Sequence, residues 1–423
     1  MKTVVRSLSL GAAALLLTAG RASAEGIRVY GVSPEAQVRA EAVVASGSDA
    51  GTNWYNPARL VELEKPGMAL NMDNLFVNAT YVNPLGQAES DRRRHFLVPA
   101  FYAATPFAKG RWALGLGVNS PFGVATAYDN DSPFRYITTG GEVLLTAVNP
   151  NVAWKATDKL SLALGANYYQ SQAELNQQYR WAAVVPGSPD GSMKIKGEGS
   201  GWGVNTALSW KPREGHAFGL SYRSQVVVTL EGKNTEIANV PAPLQPLFGT
   251  TFRTGGKTTL RFPDIVNVGY AIRPSNQWLV EFGGHWVNWT DFDRANFDFE
   301  SNPAFLPDNT LPIYWKNAFA LRVGFDFKKS ETLSVGGGYF FDKTPTREST
   351  YSPLIPDSDH HMFTTGLRWR KGAFEVSPAV AYLYTPRQRV TSERTDAFGQ
   401  GQTTSGTYEL HGYKADLGVT YSF

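Results

Sequence analysis

Six alternate residues at the C-terminus, Tyr413, Ala415, Leu417, Val419, Tyr421 and Phe423, are apolar or aromatic. The residues between them, Lys414, Asp416, Gly418, Thr420 and Ser422, are polar, charged or small. Strand side chains point to opposite faces in turn, so this segment has one greasy face and one wet face. A soluble sandwich strand can alternate in the same way, but it rarely stops on a terminal Phe. The pattern suits the closing strand of a transmembrane β-barrel, with lipid outside and a wet lumen inside.

The N-terminus agrees. Lys2 and Arg6 precede a short apolar run from Leu8 to Ala19, and Ala22-Ser23-Ala24 reads as a small-residue cleavage site. Residues 1–24 are therefore expected to be a secretory signal peptide, with the mature chain starting at Glu25. Beyond residue 24 no run approaches the roughly 18 apolar residues of a spanning helix, which excludes a helical membrane protein. Mean hydropathy is −0.26, the value of a soluble chain, and a polar-lined barrel hides its membrane face in this way. With no Cys, a disulfide framework or thiolate metal site is excluded. A net charge of +3, with no basic helix, gives no basis for nucleic-acid binding.

From residue 67 onward, strand-like segments are joined alternately by short and long connections. The short ones are Phe107–Gly110, Lys155–Lys159, Lys211–His216, Arg273–Gln277, Lys328–Glu331 and Arg370–Gly372. The long ones are 83–93, 121–139, 181–199, 232–256, 293–309, 343–357 and 391–405. Six turns and seven loops join fourteen strands, so the expected fold is all-β: a fourteen-stranded antiparallel barrel over 67–423, turns periplasmic and loops extracellular. Five of the eleven tryptophans, Trp112, Trp154, Trp210, Trp278 and Trp369, lie within two residues of a short turn and mark an interfacial aromatic belt. Charges in the clearest strands keep to the polar parity. Asp264 breaks this rule beside Pro263, which predicts a bulge or strand end there.

Residues 25–66 do not alternate. They hold a short helix candidate at 34–40 and the apolar residues Ile27, Val29, Tyr30, Trp54 and Tyr55, and are expected to fold into the lumen as a plug rather than trail as a disordered leader. Two loops are unusually apolar: Trp181, Val184 and Val185 in one, Leu244, Leu247 and Phe248 in the other. Such patches read as capture surfaces for a hydrophobic ligand. No G-x-S-x-G motif is present, His285 and Glu281 read as satisfied lumen polars, and no catalytic constellation or cofactor is expected. Asp357, Asp359, His360 and His361 read as a solvated loop-to-strand junction rather than a metal site. Gly197, Gly199, Gly201 and Gly203 open a strand and lack the helix of a phosphate loop.

Several segments together resemble the outer-membrane long-chain fatty-acid transporters, the FadL-type hydrocarbon channels. They are Asp49-Ala50 with Asn56-Pro57-Ala58, then Asn119-Ser120-Pro121-Phe122-Gly123, then Asn149 to Trp154, Phe262-Pro263-Asp264 on to Trp286–Phe292, and Leu333–Asp342 with Leu354-Ile355-Pro356-Asp357. The likeness runs in order through the mature chain. It implies a monomer in the Gram-negative outer membrane, among outer-membrane lipid and lipopolysaccharide, closed by an N-terminal hatch. It also implies that Asn56, Pro57 and Ala58 hold the hatch, that Ser120, Pro121, Phe122 and Gly123 lie at a kinked third strand beside a lateral gap, and that Ile27 and Val29 lie near the ligand pocket. The implied function is passive uptake of long-chain fatty acids, with release sideways into the bilayer. Monoaromatic hydrocarbons such as toluene remain an alternative substrate, and a general diffusion porin an alternative class.

Overall fold

The computed structural model describes residues 26–93 and 95–423. The expected signal peptide lies outside the described residues. Fourteen strands close into one antiparallel barrel: β1 Gly67–Val82, β2 His95–Phe107, β3 Trp112–Ala127, β4 Gly140–Lys155, β5 Leu160–Tyr179 and β6 Gly191–Arg213. They continue as β7 His216–Arg223 with Val226–Ala238, β8 Thr251–Phe262 with Ile265–Ile272, β9 Trp278–Val287 with Arg294–Phe299, and β10 Asn309–Pro312 with Ala318–Lys328. The last four are β11 Leu333–Asp342, β12 His360–Lys371, β13 Phe374–Tyr384 with Gln388–Val390, and β14 Gly406–Ser422. β14 pairs with β1 from Ser422↔Gly67 to Thr407↔Val82, which joins the last strand to the first and closes the barrel.

The distribution of side chains is inverted relative to a soluble protein. Along β10, Phe319, Leu321 and Phe325 are exposed while Arg322 and Asp326 are buried. Along β14, Tyr413 and Leu417 are exposed while Lys414 and Asp416 are buried. An exposed apolar band around buried charges is stable only where lipid covers the outside. Near the short-turn end Trp112 stacks on Trp154, Trp210 on Phe218, and Trp278 lies 4.9 Å from Phe327, forming an outward aromatic girdle.

Residues 26–66 thread the interior. They contain two short helices, α1 Pro34–Val38 and α2 Thr52–Tyr55, and a 3-10 turn Pro57–Glu62. Ser33 caps α1 through Ala36 N–H, with Pro34 in the first turn. Strands all round the ring hold the segment. Tyr102 of β2 and Lys414 of β14 donate to the Val32 and Tyr30 carbonyls, Ser221 of β7 to Tyr55, and Thr364 of β12 to Val38.

The long connections are shorter than the sequence indicated, because strand pairing continues into them. Residues 121–127, 191–199, 232–238, 251–256 and 294–299 are all strand. Pro263-Asp264 does interrupt β8, and Asp264 accepts hydrogen bonds from the Tyr222 hydroxyl and Gln225 N–H. Neighbouring strands break at the same level, β7 at 224–225 and β9 at 288–293. Above the break the β7 backbone runs against the inner face of β6. A Cβ placed on Gly199 or Gly201 would strike the Thr229 or Val227 carbonyl oxygen. The alternating glycines 197–203 thus serve close backbone approach.

Candidate functional site

The barrel wall has a breach beside β3. The β2–β3 ladder runs only from Phe107↔Trp112 to Phe101↔Val118, so residues 119–127 of β3 have no ladder partner on β2. On its other side β3 keeps β4, with a register shift between Asn119 and Phe122. Pro121 lacks an N–H, which helps explain why the regular ladder fails here. The vacated edge is filled from inside: Gly123 N–H donates to the Ile27 carbonyl at 2.7 Å and Val29 N–H to the Pro121 carbonyl at 2.9 Å. Arg28 and Phe122 form an antiparallel bridge. An unpaired edge accepts any extended segment in register, and here the N-terminus supplies it.

Behind the breach lies an apolar chamber. The Phe122 ring packs 5.4 Å from Phe262, 5.7 Å from Trp289 and 6.5 Å from Tyr169. Trp289 also meets Trp315 at 4.8 Å, and Ile27 and Val29 belong to the same buried cluster. On the side away from the short turns a cavity of about 100 Å³ remains, lined mostly by apolar side chains including Val143, Leu175, Ile195, Leu230, Phe292, Phe297 and Ile355. Glu174, Lys196 and Lys257 supply its charged groups.

The floor of the chamber is polar. Buried Glu41 accepts from Arg28 at 2.8 Å, Arg322 at 2.9 Å, the Tyr55 hydroxyl and Gly31 N–H. Burial by itself would raise its carboxyl, but Arg28 and Arg322 hold it down to about 2. Glu281 of β9 accepts from Ala45 N–H and Ser46. Arg368 of β12 reaches Glu35, Asp326 and Glu375. Arg223 lies 3.6 Å over the Trp54 ring.

Asn56 sits between this floor and the wall. Its side-chain amide donates to the Val44 carbonyl at 2.7 Å and the Leu208 carbonyl at 3.0 Å, while its Oδ1 accepts from Ala58 N–H. Pro57 and Ala58 begin the 3-10 turn and are buried. Ser120, Pro121, Phe122 and Gly123 all lie in the breach segment.

The two apolar loops are brought together, with a correction to their role. Trp181 is fully buried and donates through Nε1 to the Ala238 carbonyl at 2.8 Å. It packs with Tyr179, Ile237, Val240 and Phe252, against which Leu244 and Phe248 are half-buried. Trp181 therefore braces the two loops and is no surface patch. The apolar groups left outside include Leu247, 79% exposed, and Val184. Asp357 and His360 are likewise buried rather than solvated, Asp357 being drawn inward by Gly26 N–H and the Thr344 hydroxyl, whereas Asp359 and His361 stay part-exposed. Sequence reasoning singled out Glu281 but gave it no partner, and it missed Glu41 and Trp315. Mid-strand charge on the lumen parity marks Glu281 and Arg322, whereas nothing local marks Glu41.

A closed barrel with a lipid-compatible exterior, an occupied lumen and a breach leading to an apolar chamber defines an outer-membrane transport barrel. The chain belongs to the family of outer membrane transport proteins described as OMPP1/FadL/TodX, which matches residues 15–423. It is 24% identical to outer membrane protein P1 of Haemophilus influenzae over 98% of this chain and 99% of the relative. It is 23% identical to the long-chain fatty acid transport protein of Escherichia coli K12, over 80% and 83% of the two chains. Among solved structures, a Pseudomonas aeruginosa FadL homologue matches with TM-score 0.82 at 17% identity, covering 94% of this chain and all of that one. The Pseudomonas putida toluene transporter TodX matches with TM-score 0.70 at 17% identity, over 95% and 99%.

Proposed function

We propose that this protein takes up long-chain fatty acids, which collect on the exposed apolar side chains of the long loops, pass into the aromatic chamber and leave through the β2–β3 breach into the bilayer. The observation that carries the reading is the breach itself: an interrupted ladder, bridged from inside at residues 121–123 by residues 27–29, with the apolar cluster of Phe122, Phe262 and Trp289 behind it. Residues 25–66 act as the hatch, and Asn56, Pro57 and Ala58 anchor it. Each buried methylene of a ligand is worth about 0.8 kcal/mol, so a long acyl chain gains on the order of 10 kcal/mol in an apolar path and loses it in a watery one. A sideways exit keeps the chain out of water throughout. The fatty-acid transport relative supports this substrate class.

A second reading, a monoaromatic hydrocarbon, is favoured by the size of the cavity, which suits a single ring better than a long chain. Dry cavities of roughly 150 Å³ bind benzene. Under the fatty-acid reading the chain must displace side chains or the N-terminal strand to fit. Calorimetric titration of the purified barrel with oleate and with toluene separates the two. Oleate binding weakened by Phe122→Ala is the expected result. Toluene binding alone selects the second reading, and neither ligand binding, with steady ion conductance, selects a porin.

A further inference from the structure

A second weak place in the wall lies where β6, β7 and β8 meet, on the long-loop side of the break. The β6–β7 ladder pairs Met193↔Ile237, Lys194↔Glu236 and Glu198↔Glu231, then resumes only at Asn205↔Arg223 among the described residues. The β7–β8 ladder shifts register between Thr254 and Gly256. Three glycines come together at these faults. Gly256 pairs with Gly232, and a Cβ on Gly232 would strike the Lys196 carbonyl oxygen and lie 3.2 Å from the Gly197 Cα. A Cβ on Gly256 would come within 3.1 Å of the Phe299 ring. Such close backbone approach requires glycine at 232. The partition there is main chain, with the Phe299 ring beside it.

Open space lies on both sides of this patch. Inside is the apolar cavity of about 100 Å³, bounded here by Gly197, Leu230, Gly256 and Phe299. Outside is a groove of about 980 Å³ that shares Gly197, Gly256 and Phe299 with the cavity and adds Gly232. Lys196 and Glu198 have the outward parity of Trp202 and Val204, which are 69% and 55% exposed, so the groove faces away from the lumen. Six carboxylates, among them Glu198, Glu231 and Asp298, line it against three lysines, Lys196, Lys233 and Lys257. Glu198 and Glu231 are direct cross-strand partners, which concentrates negative charge at the mouth. Charge of this density belongs at the outer headgroup border, just beyond the lipid-facing Trp202 and Val204.

The geometry points to a side portal separate from the β2–β3 breach: the wall at Gly197, Gly232 and Gly256, shut by the Phe299 ring, admits small uncharged hydrocarbons from the outer membrane border into the apolar cavity, and the acidic groove in front of it turns carboxylates away. An uncharged ring crosses the groove without a Coulomb penalty and gains by entering an apolar space. A carboxylate is repelled by the groove's excess of acid and must enter from the loops. The portal rests on reading the apolar cavity as the ligand's station. It adds selection by charge at a place the breach does not control.

A single thiol placed in the cavity tests the portal. The chain has no Cys, so Ile355→Cys, on the cavity lining, supplies it. The mature protein in lipid vesicles is treated with benzyl methanethiosulfonate, an uncharged single ring, and separately with the anionic sulfonatoethyl methanethiosulfonate. Each rate is divided by that reagent's rate with free cysteine. The benzyl reagent should react at least about tenfold faster than the anion. Adding Phe299→Ala removes the shutter and should speed the benzyl reaction about tenfold. Adding Lys257→Trp instead covers the mouth from the groove side and should slow it by a similar factor, which keeps the test decisive if the Ala variant fails to assemble. A benzyl rate unchanged in whichever variant assembles would overturn the portal, and so would an anion that reacts as fast as the ring. Calorimetry of the parent with oleate and with toluene reports on the substrate reading alone.

Discussion

Glu41→Gln is the sharpest test of how the lumen is held shut. The substitution keeps the shape of the side chain and removes the charge shared by Arg28 and Arg322, both almost fully buried. Removing one partner of a buried ion pair costs about 3–5 kcal/mol, because the remaining charge stays in a poorly solvated place. The barrel ladder does not depend on Glu41, so the loss falls on docking of residues 26–62 rather than on the wall. With tenfold per 1.4 kcal/mol, the undocked population should rise roughly one hundred- to several thousand-fold. Single-channel recording in planar bilayers should show frequent openings, and protease added from the short-turn side should cut within residues 26–62. The parent should show neither. The pH dependence follows from the same group: its carboxyl is held down to about 2, so its stabilisation is complete above the ordinary 4.5 and is lost only as pH falls towards 2. Mild acid should therefore leave the parent closed. A folded Glu41→Gln barrel with parental conductance and protease resistance would refute the reasoning.

Other variants probe separate parts. Asn56→Ala strands the Val44 and Leu208 carbonyls, a cost of about 1–3 kcal/mol, and should raise conductance and impair uptake while the barrel still shows its heat-modifiable gel shift. Phe122→Ala removes the ring that meets Phe262, Trp289 and Tyr169, and oleate affinity measured by calorimetry should fall roughly tenfold. Gly199→Val drives a side chain into the Thr229 carbonyl and should reduce folded protein in the same gel assay, whereas Gly86→Val, in open space on a loop, should tolerate assembly far better despite its positive φ.

What was legible in the sequence followed from period. Alternation in β10 and β14, the six polar turns and the tryptophans beside them are local signals, and they survive because lipid outside and charge inside reinforce the same parity. Loop boundaries were less legible. Residues 121–127 carry no alternation, since residues 27–29 cover 121–123 while Leu354, Asp91 and Arg92 bond at 126–127, and burial runs unbroken through 121–126. The glycines of β6 looked like a strand opening and prove to be the seat of the β7 backbone, a contact set by the shared break in β7, β8 and β9. Trp181 was read from loop composition, which shows apolarity but not which side chain is interior. Glu41 was invisible for the reason that makes it effective: its partners Arg28 and Arg322 lie 13 and 281 residues away, and no local pattern encodes that meeting.

The central claim is that ligand crosses at the breach and that residues 27–29 close it. The chain has no Cys, so Ile27→Cys with Gly123→Cys introduces a single disulfide across the bonded pair. Neighbouring strands bring such positions within disulfide reach. The most direct measurement is uptake of radiolabelled oleate by cells carrying this variant, before and after mild reduction. The account expects at least about tenfold slower uptake in the oxidised form and recovery on reduction. Uptake equal to the parent with the disulfide shown intact would contradict it.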